Sequence, residues 1–424
     1  MIQYSKRKLK TDLAWASAAN LFEKIIGYII LAQLTRYLTK EDIGQFFYAM
    51  TLATFFALVA NMGTGRHFYR EFSSDKENAL SQLSLAISIR FVMLGGYLLL
   101  ILAVVSVWQP ALLPVMTITA VYIGLENGSY MLTAFFLAKQ EVSRRVLIVS
   151  LTQILLVILI TLAIYLQLPF LTVIASYVVA FIFRIFFSWW LVTYYHGPIR
   201  LSWNWTTTKH VLYLSFPFLL MSLLNVIVSR VDTLMLGWLD SYTAVADYET
   251  GYKFLEVSRF VVRPALMIFF PIAAPLAAQK AWPRLQKMFR QLVFSGLGLG
   301  TAVALFVLIL APFLVPLMFG DKYDATIPIT RVLFLSTPFV FVNLFTNSLA
   351  NALRLEKTII KGTFLIVILN VALNSYAIPH WGAIGAATTT VISEAALAIW
   401  LIYLNAATLT AAMQAEPAPA PAIK

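Results

Sequence analysis

The 424-residue sequence contains no cysteine, so disulfides, thiol catalysis and thiolate metal sites are excluded at once. Histidine is almost as scarce. The four present, His67, His196, His210 and His380, are dispersed and form no HExxH or similar ligand spacing. Charged residues make up only 12% of the chain. No interval between apolar stretches is long enough to fold as a soluble domain. A membrane glycosyltransferase or polymerase, which needs a catalytic loop or domain outside the bilayer, is disfavoured on that ground. A cleavable leader is not evident either. Lys6, Arg7, Lys8 and Lys10 precede a span-length apolar stretch, and the small-residue run ASAAN comes before most of it, which reads as a signal-anchor first span.

What the chain has in abundance is apolar surface. Hydrophobic residues make up 60% of it, far above a soluble domain of this length. Spans of about 20 apolar residues fall at 12–35, 42–63, 79–107, 111–138, 145–166, 169–194, 209–237, 243–276, 287–319, 325–352, 358–378 and 383–406. The loops test this division. Intervals on the N-terminal side hold 20 basic residues, among them Arg70, Lys139, Arg144, Lys209, Arg284, Lys287 and Lys357. The opposite loops hold three, Arg36, Lys40 and Lys322. Both termini are therefore expected in the cytoplasm, and the net charge of +12 reads as topology rather than nucleic-acid binding. The aromatic clusters FFYAMTLATFF, FIFRIFFSWW and WNW read as interface belts and lipid-facing rings before sugar-stacking surfaces. GAIGAATTT, from Gly382 onward, suits close helix packing.

The expected fold class is an all-α integral membrane protein with about 12 transmembrane helices. The segment HGPIRLSWNW divides it into two six-helix lobes, 1–205 and 206–406, and 407–424 reads as a disordered Ala/Pro-rich cytoplasmic tail.

One stretch breaks the apolar pattern. In the eighth span, DYETGYKFLEVSRFVVRPALMIFFPIAAP, a helical period of about 100° per residue brings Glu249, Lys253, Glu256, Arg259 and Arg263, with Tyr248 and Tyr252, onto one face. A polar stripe on an embedded helix cannot face lipid, since each central charge costs roughly 2.5–3.5 kcal/mol or more. It faces a bundle interior. Pro264, Pro271 and Pro275 predict a kink below it.

Four runs carry a family resemblance. LTKEDIGQFFYAMTLATFFALVANMG resembles the L-x-x-x-x-Y/I-G-x-x-x-x-A pattern of prokaryotic polysaccharide flippases, and SFPFLLMSLLNVIVSRVDTLMLGWL resembles their seventh span. LVPLMFGDKYDATIPITRVL resembles the ninth-to-tenth junction, and PHWGAIGAATTTVISEA the entry to the twelfth span. Order and spacing agree over nearly the whole chain. It thus resembles the O-antigen-type, Wzx-like branch of the MOP exporter superfamily, with MurJ-type lipid II flippases and MATE exporters as relatives. The resemblance implies two six-helix lobes around a central cavity, no cofactor and no enzymatic activity. It also implies outward flipping of an undecaprenyl-pyrophosphate-linked oligosaccharide across a prokaryotic inner membrane, by alternating access, for surface polysaccharide biosynthesis. Coupling to protons or sodium, and a polymerase and ligase as pathway partners, follow from the same likeness. A MATE-like cation or drug antiporter is the alternative, and the embedded basic residues argue against it. Where the family has a V-G-x-Y-like run, this chain has Val245-Ala246-Asp247-Tyr248, with an added acid.

The candidate substrate-binding residues are Lys24, Arg90, Arg184, Arg230, Lys253, Arg259 and Arg263, because basic side chains, Arg above all, receive phosphate. The candidate coupling or ion-pair residues are Glu23, Glu126, Asp232, Glu249, Glu256 and Glu394. The competing reading is that these acids and bases neutralise one another. Arg90 and Arg184 also suit snorkelling toward a span end. Lys24 sits where MurJ-type relatives carry a cavity-facing base. Asp232 suits either an ion-coupling site or a packing pair with Arg230. Arg259 and Arg263, one turn apart, are placed to grip one pyrophosphate.

Overall fold

A computed structural model of the chain describes residues 6–75 and 77–415. Among the described residues the regular structure is helical throughout, with no strand. The helices are α1 (Lys6–Tyr37), α2 (Lys40–Asn61), α3 (Thr64–Ser74), α4 (Ala79–Trp108), α5 (Leu113–Ala138), α6 (Val142–Tyr165) and α7 (Phe170–His196). They continue as α8 (Trp205–Leu239), α9 (Tyr242–Ala278), α10 (Trp282–Phe319), α11 (Thr326–Phe334), α12 (Thr337–Ala352) and α13 (Glu356–Ala415).

Eight of these are long and apolar enough to span a membrane singly, and up to ten spans result if α8 and the α11–α12 pair, bent by 43°, each count once. The remaining two expected spans have identifiable reasons for escaping that test. α1 carries Asn20, Glu23 and Lys24 in the middle of its apolar stretch, which lowers its hydropathy. α13 is two helices joined at Gly382, whose φ of 54° and ψ of −135° break the helical geometry. That conformation is open to glycine at little cost, so the eleventh and twelfth spans meet there without a loop. Short α3 is the polar connection between the second and third spans. α9 remains a single helix through Pro264, Pro271 and Pro275, so the kink expected below the stripe does not interrupt it. α13 runs to Ala415, into the segment expected to be a disordered tail, and 416–424 lie outside the described residues.

Sequence signals at the ends are local. The α2 start is a capping box: Thr39 Oγ1 accepts from the Asp42 N–H at 3.1 Å, and Asp42 accepts from the Thr39 N–H at 3.3 Å. The LTKED part of the flippase-like run thus has a structural role as a helix start.

Burial is inverted relative to a soluble protein. Val107, Ile309 and Met267 are 73–87% exposed, while Asp232, Asp247, Glu249, Asn374 and many threonines are buried. Polar groups inside and apolar groups outside is the pattern of a bundle whose solvent is lipid. The chain forms two compact units, one up to Arg230 and one from Val231. The first is built on an aromatic cluster of Phe68, Phe72, Phe135 and Phe136. In the second, Phe341 and Phe345 pack with Val262 and Val340.

Candidate functional site

The α9 stripe forms, and its members acquire different partners. Near the N-terminal end, Asp247 accepts a hydrogen bond from Thr326 Oγ1 of α11 at 2.7 Å. Glu249 is 1% exposed and accepts one from Thr233 of α8. One turn on, Lys253 Nζ pairs with Glu256 at 3.1 Å, the i, i+3 geometry of a helix face. Arg259 has a different environment. Its Nη2 donates to Tyr252 OH at 3.1 Å and its guanidinium lies 5.7 Å from that ring centre. Its Nε is buried with no hydrogen-bond partner among the described residues. Glu394 and Glu256 lie within electrostatic reach of it, and Glu394 is itself held by Asn343 Nδ2 at 2.7 Å. Arg263 does not join Arg259. It is exposed, with its guanidinium 4.3 Å from the Phe260 ring centre, so the shared grip expected from their one-turn spacing is not formed.

The most connected polar centre is built around Asp232 of α8. Its Oδ1 accepts from Asn374 Nδ2 at 2.5 Å, and its Oδ2 accepts from Tyr248 OH at 2.8 Å and Thr390 Oγ1 at 3.0 Å. The web continues outward. Asn374 Nδ2 also donates to Asn370 at 3.0 Å, Asn370 donates to Ser393 at 3.2 Å, and Thr389 donates to Asn374 Oδ1. Every one of these residues is buried. An isolated carboxylate here costs several kcal/mol, and hydrogen bonds to a charged group return about 1.5–3 kcal/mol each. Three donors therefore offset part of that cost with no cationic partner among the hydrogen bonds of this web. Residues two apart on a helix point about 200° apart, so Arg230, partly buried, projects from a different face of α8 than Asp232.

In the first unit the embedded charges form two groups. Glu23 of α1, Glu126 of α5 and Arg184 of α7 lie within electrostatic reach of one another, beside the tyrosine pair Tyr122 and Tyr177, whose ring centres are 5.0 Å apart. Arg184 also lies 5.3 Å from the Phe181 ring centre. Arg90 of α4 stands elsewhere, bonded to the Asn61 side chain. Lys24 is exposed on α1 and joins neither group in the contacts of the described residues.

Several residues of these centres carry no charge and were absent from the sequence candidates: Asn370, Asn374, Thr390, Thr326 and Asn343. The signal available for the first two was their i, i+4 spacing in the apolar run ILNVALNSYA, where a polar pair in lipid implies a partner.

The comparisons with known proteins agree with this architecture. The family described as "Polysaccharide biosynthesis protein" matches residues 9–277. The capsular polysaccharide biosynthesis protein CapF of Staphylococcus aureus is 22% identical over 388 residues, covering 89% of this chain and 94% of that protein. Among solved structures, a multidrug resistance MATE family transporter of the MOP superfamily, inward-facing, superposes with a TM-score of 0.75 at 14% identity, over 93% of this chain and 96% of that one. The lipid II flippase MurJ, in an inward closed conformation, gives a TM-score of 0.68 at 14% identity, over 96% and 93%. The resemblance read from the four sequence runs is borne out. By the match over most of its length and by its helical fold, the chain belongs to the polysaccharide biosynthesis protein family and has the fold of MOP-superfamily membrane transporters.

Proposed function

We propose that the protein moves an undecaprenyl-pyrophosphate-linked oligosaccharide from the inner to the outer leaflet of a prokaryotic inner membrane, by alternating access, for surface polysaccharide biosynthesis. The observation that carries this reading is Arg259: a half-buried guanidinium that donates to a tyrosine hydroxyl, with its buried Nε unbonded among the described residues. Such a group is pre-set to receive a phosphate oxygen. Lys253 adds positive charge less than two turns away on the same helix. The roles named for the relatives, capsular polysaccharide biosynthesis and lipid II flipping, support a lipid-linked glycan as the substrate class. A MATE-like antiporter for cationic drugs is less well served, because the Arg259 guanidinium repels a cation.

The charge bias of the loops supports cytoplasmic termini, so loading occurs from the leaflet where lipid-linked glycans are assembled and release delivers them to the pathway's polymerase and ligase. Asp232, a buried carboxylate ringed by neutral donors, supplies the coupling step by taking up a proton or a sodium ion.

The test is glycan export with variants matched for protein in the membrane. Arg259→Ala is expected to lower export at least about tenfold, equivalent to about 1.4 kcal/mol. Arg259→Lys keeps the charge without the fork and retains partial export. Arg263→Ala, at an exposed side chain, stays within about twofold of wild type. Wild-type export from Arg259→Ala would remove the stripe as the substrate site.

A further inference from the structure

Arg90 occupies an environment that the transport reading does not require. α2, α4, α5 and α7 of the first unit enclose a groove of about 520 Å³, within the roughly 300–1,000 Å³ typical of ligand sites. Its walls are almost wholly apolar, formed by Leu94, Ile182, Ile185 and, at the rim, Phe91 and Phe186. Those rim rings are 65% and 71% exposed, so the groove opens sideways, toward lipid. At its floor lies Arg90, 8% exposed.

The floor is built for an anion. Arg90 Nη1 donates to Asn61 Oδ1, Asn61 Nδ2 donates to Asn127 Oδ1 at 2.8 Å, and Asn127 Nδ2 donates to the Ile123 carbonyl at 2.8 Å. This relay turns the Asn61 carbonyl toward the guanidinium and neutralises nothing, since every member after Arg90 is uncharged. Arg90 has no carboxylate partner among the described residues, and its buried Nε has no hydrogen-bond partner among them. A buried cation left so is costly, and an entering anion removes that cost.

We propose that this groove is a resident phospholipid site, with a single phosphodiester on the open edge of Arg90 and one acyl chain along the apolar walls. Charge complementarity selects this occupant. One guanidinium and two neutral amides match the single negative charge of a phosphodiester, whereas a pyrophosphate brings more charge than one arginine balances. A cationic ligand is repelled, and a free anion leaves the apolar walls uncovered.

The experiment is native mass spectrometry of the purified full-length chain, reconstituted in nanodiscs of phosphatidylglycerol and then stripped with detergent. Wild type is expected to retain one phospholipid. Arg90→Gln is expected to lower that retention about tenfold or more, the order lost with a charged hydrogen-bonded contact. Gly128→Leu provides a second, independent variant. A Cβ at Gly128 meets only Ile185 Cδ1, at 3.8 Å, so the larger side chain fills the groove without displacing backbone, and retention falls while Arg90 is untouched. Thermal melting monitors folding of both, and if Arg90→Gln does not fold, Gly128→Leu decides. Undiminished retention in the folded variants overturns the proposal. So does displacement of the phospholipid by polyprenyl pyrophosphate in competition, which would assign the groove to the transported substrate.

Discussion

Arg90 in the first unit and Asp232 in the second are both buried charges on membrane helices, and the hydrogen bonds described for both are to neutral side chains. The two environments nonetheless differ. Arg90 touches one amide and faces an apolar groove open at its rim. Asp232 accepts three hydrogen bonds and sits in a web drawn from α8, α9 and α13. A charge with a single neutral neighbour needs a counter-charge from outside the protein. A charge with three donors has part of its burial cost met from within the protein. Embedded charges in this protein are thus held in two ways: Arg90 and Asp232 by neutral groups, Lys253 by an ion pair with Glu256.

Replacing Asp232 should produce the largest effect on this contrast. Asp232→Ala strands the donors of Tyr248, Thr390 and Asn374 in a buried site, at about 1–3 kcal/mol for each group left unsatisfied. Less folded protein is expected in the membrane. Asp232→Asn preserves size and one acceptor but removes the charge. It is expected to reach the membrane at near wild-type level, to export poorly, and to lose any dependence of transport on proton or sodium gradients. Export with unchanged ion dependence would make the web a scaffold and erase the distinction from Arg90.

A smaller effect tests packing within the second unit alone. A Cβ on Gly300 of α10 would lie 2.5 Å from Pro338 Cα and 2.9 Å from the Thr337 carbonyl, whereas one on Gly298 meets nothing within 4 Å. Overpacking against backbone costs typically about 1–3 kcal/mol. Gly300→Ala should therefore lower the melting temperature of the purified protein. Gly298→Ala, two residues away, should leave it unchanged or raise it slightly through helix propensity. Equal melting of the two would show that α10 and α12 adjust freely.

The smallest effect lies outside the membrane. Asp75, between α3 and α4, accepts from the Asn78 side chain at 2.8 Å and the Asn78 N–H at 3.1 Å. These bonds, the side-chain one first, hold its carboxyl below the ordinary value of 3.8. The folded chain therefore binds this proton less readily than the unfolded one. The stabilisation is fully present above the ordinary carboxylate value and is lost as pH falls through the lowered one. The protection factor of the Asn78 amide should fall over that acid window in wild type and show no such step in Asp75→Asn. The same step in both proteins would mean that another group controls the turn.

Much of the architecture was already written in local sequence. Hydropathy located the spans, since a helix in lipid must close its own backbone hydrogen bonds and needs about 20 apolar residues to cross. The 3.6-residue period put Glu249, Lys253, Glu256 and Arg259 on one face of α9. LTKED marked a helix start because a capping box is satisfied within four residues. The prolines of α9 lie inside one continuous helix, so they do not mark an end of the span.

Partner choice was decided elsewhere. Lys253 had Glu249 and Glu256 on the same side; it pairs with Glu256 on its own helix, while Glu249 accepts from Thr233 of α8. Asp232 bonds to Thr390, 158 residues away in sequence, and no periodicity within one helix encodes which face of a distant helix will meet it. Arg263 shares a helix and a basic character with Arg259, yet it lies exposed on Phe260 while Arg259 is drawn in beside Tyr252. Sequence by itself determined where charge enters the bilayer, because the cost of that charge is a property of each helix alone. The tertiary structure decided which neutral groups hold it and which charges remain open to a ligand, because those contacts exist only once separate helices pack.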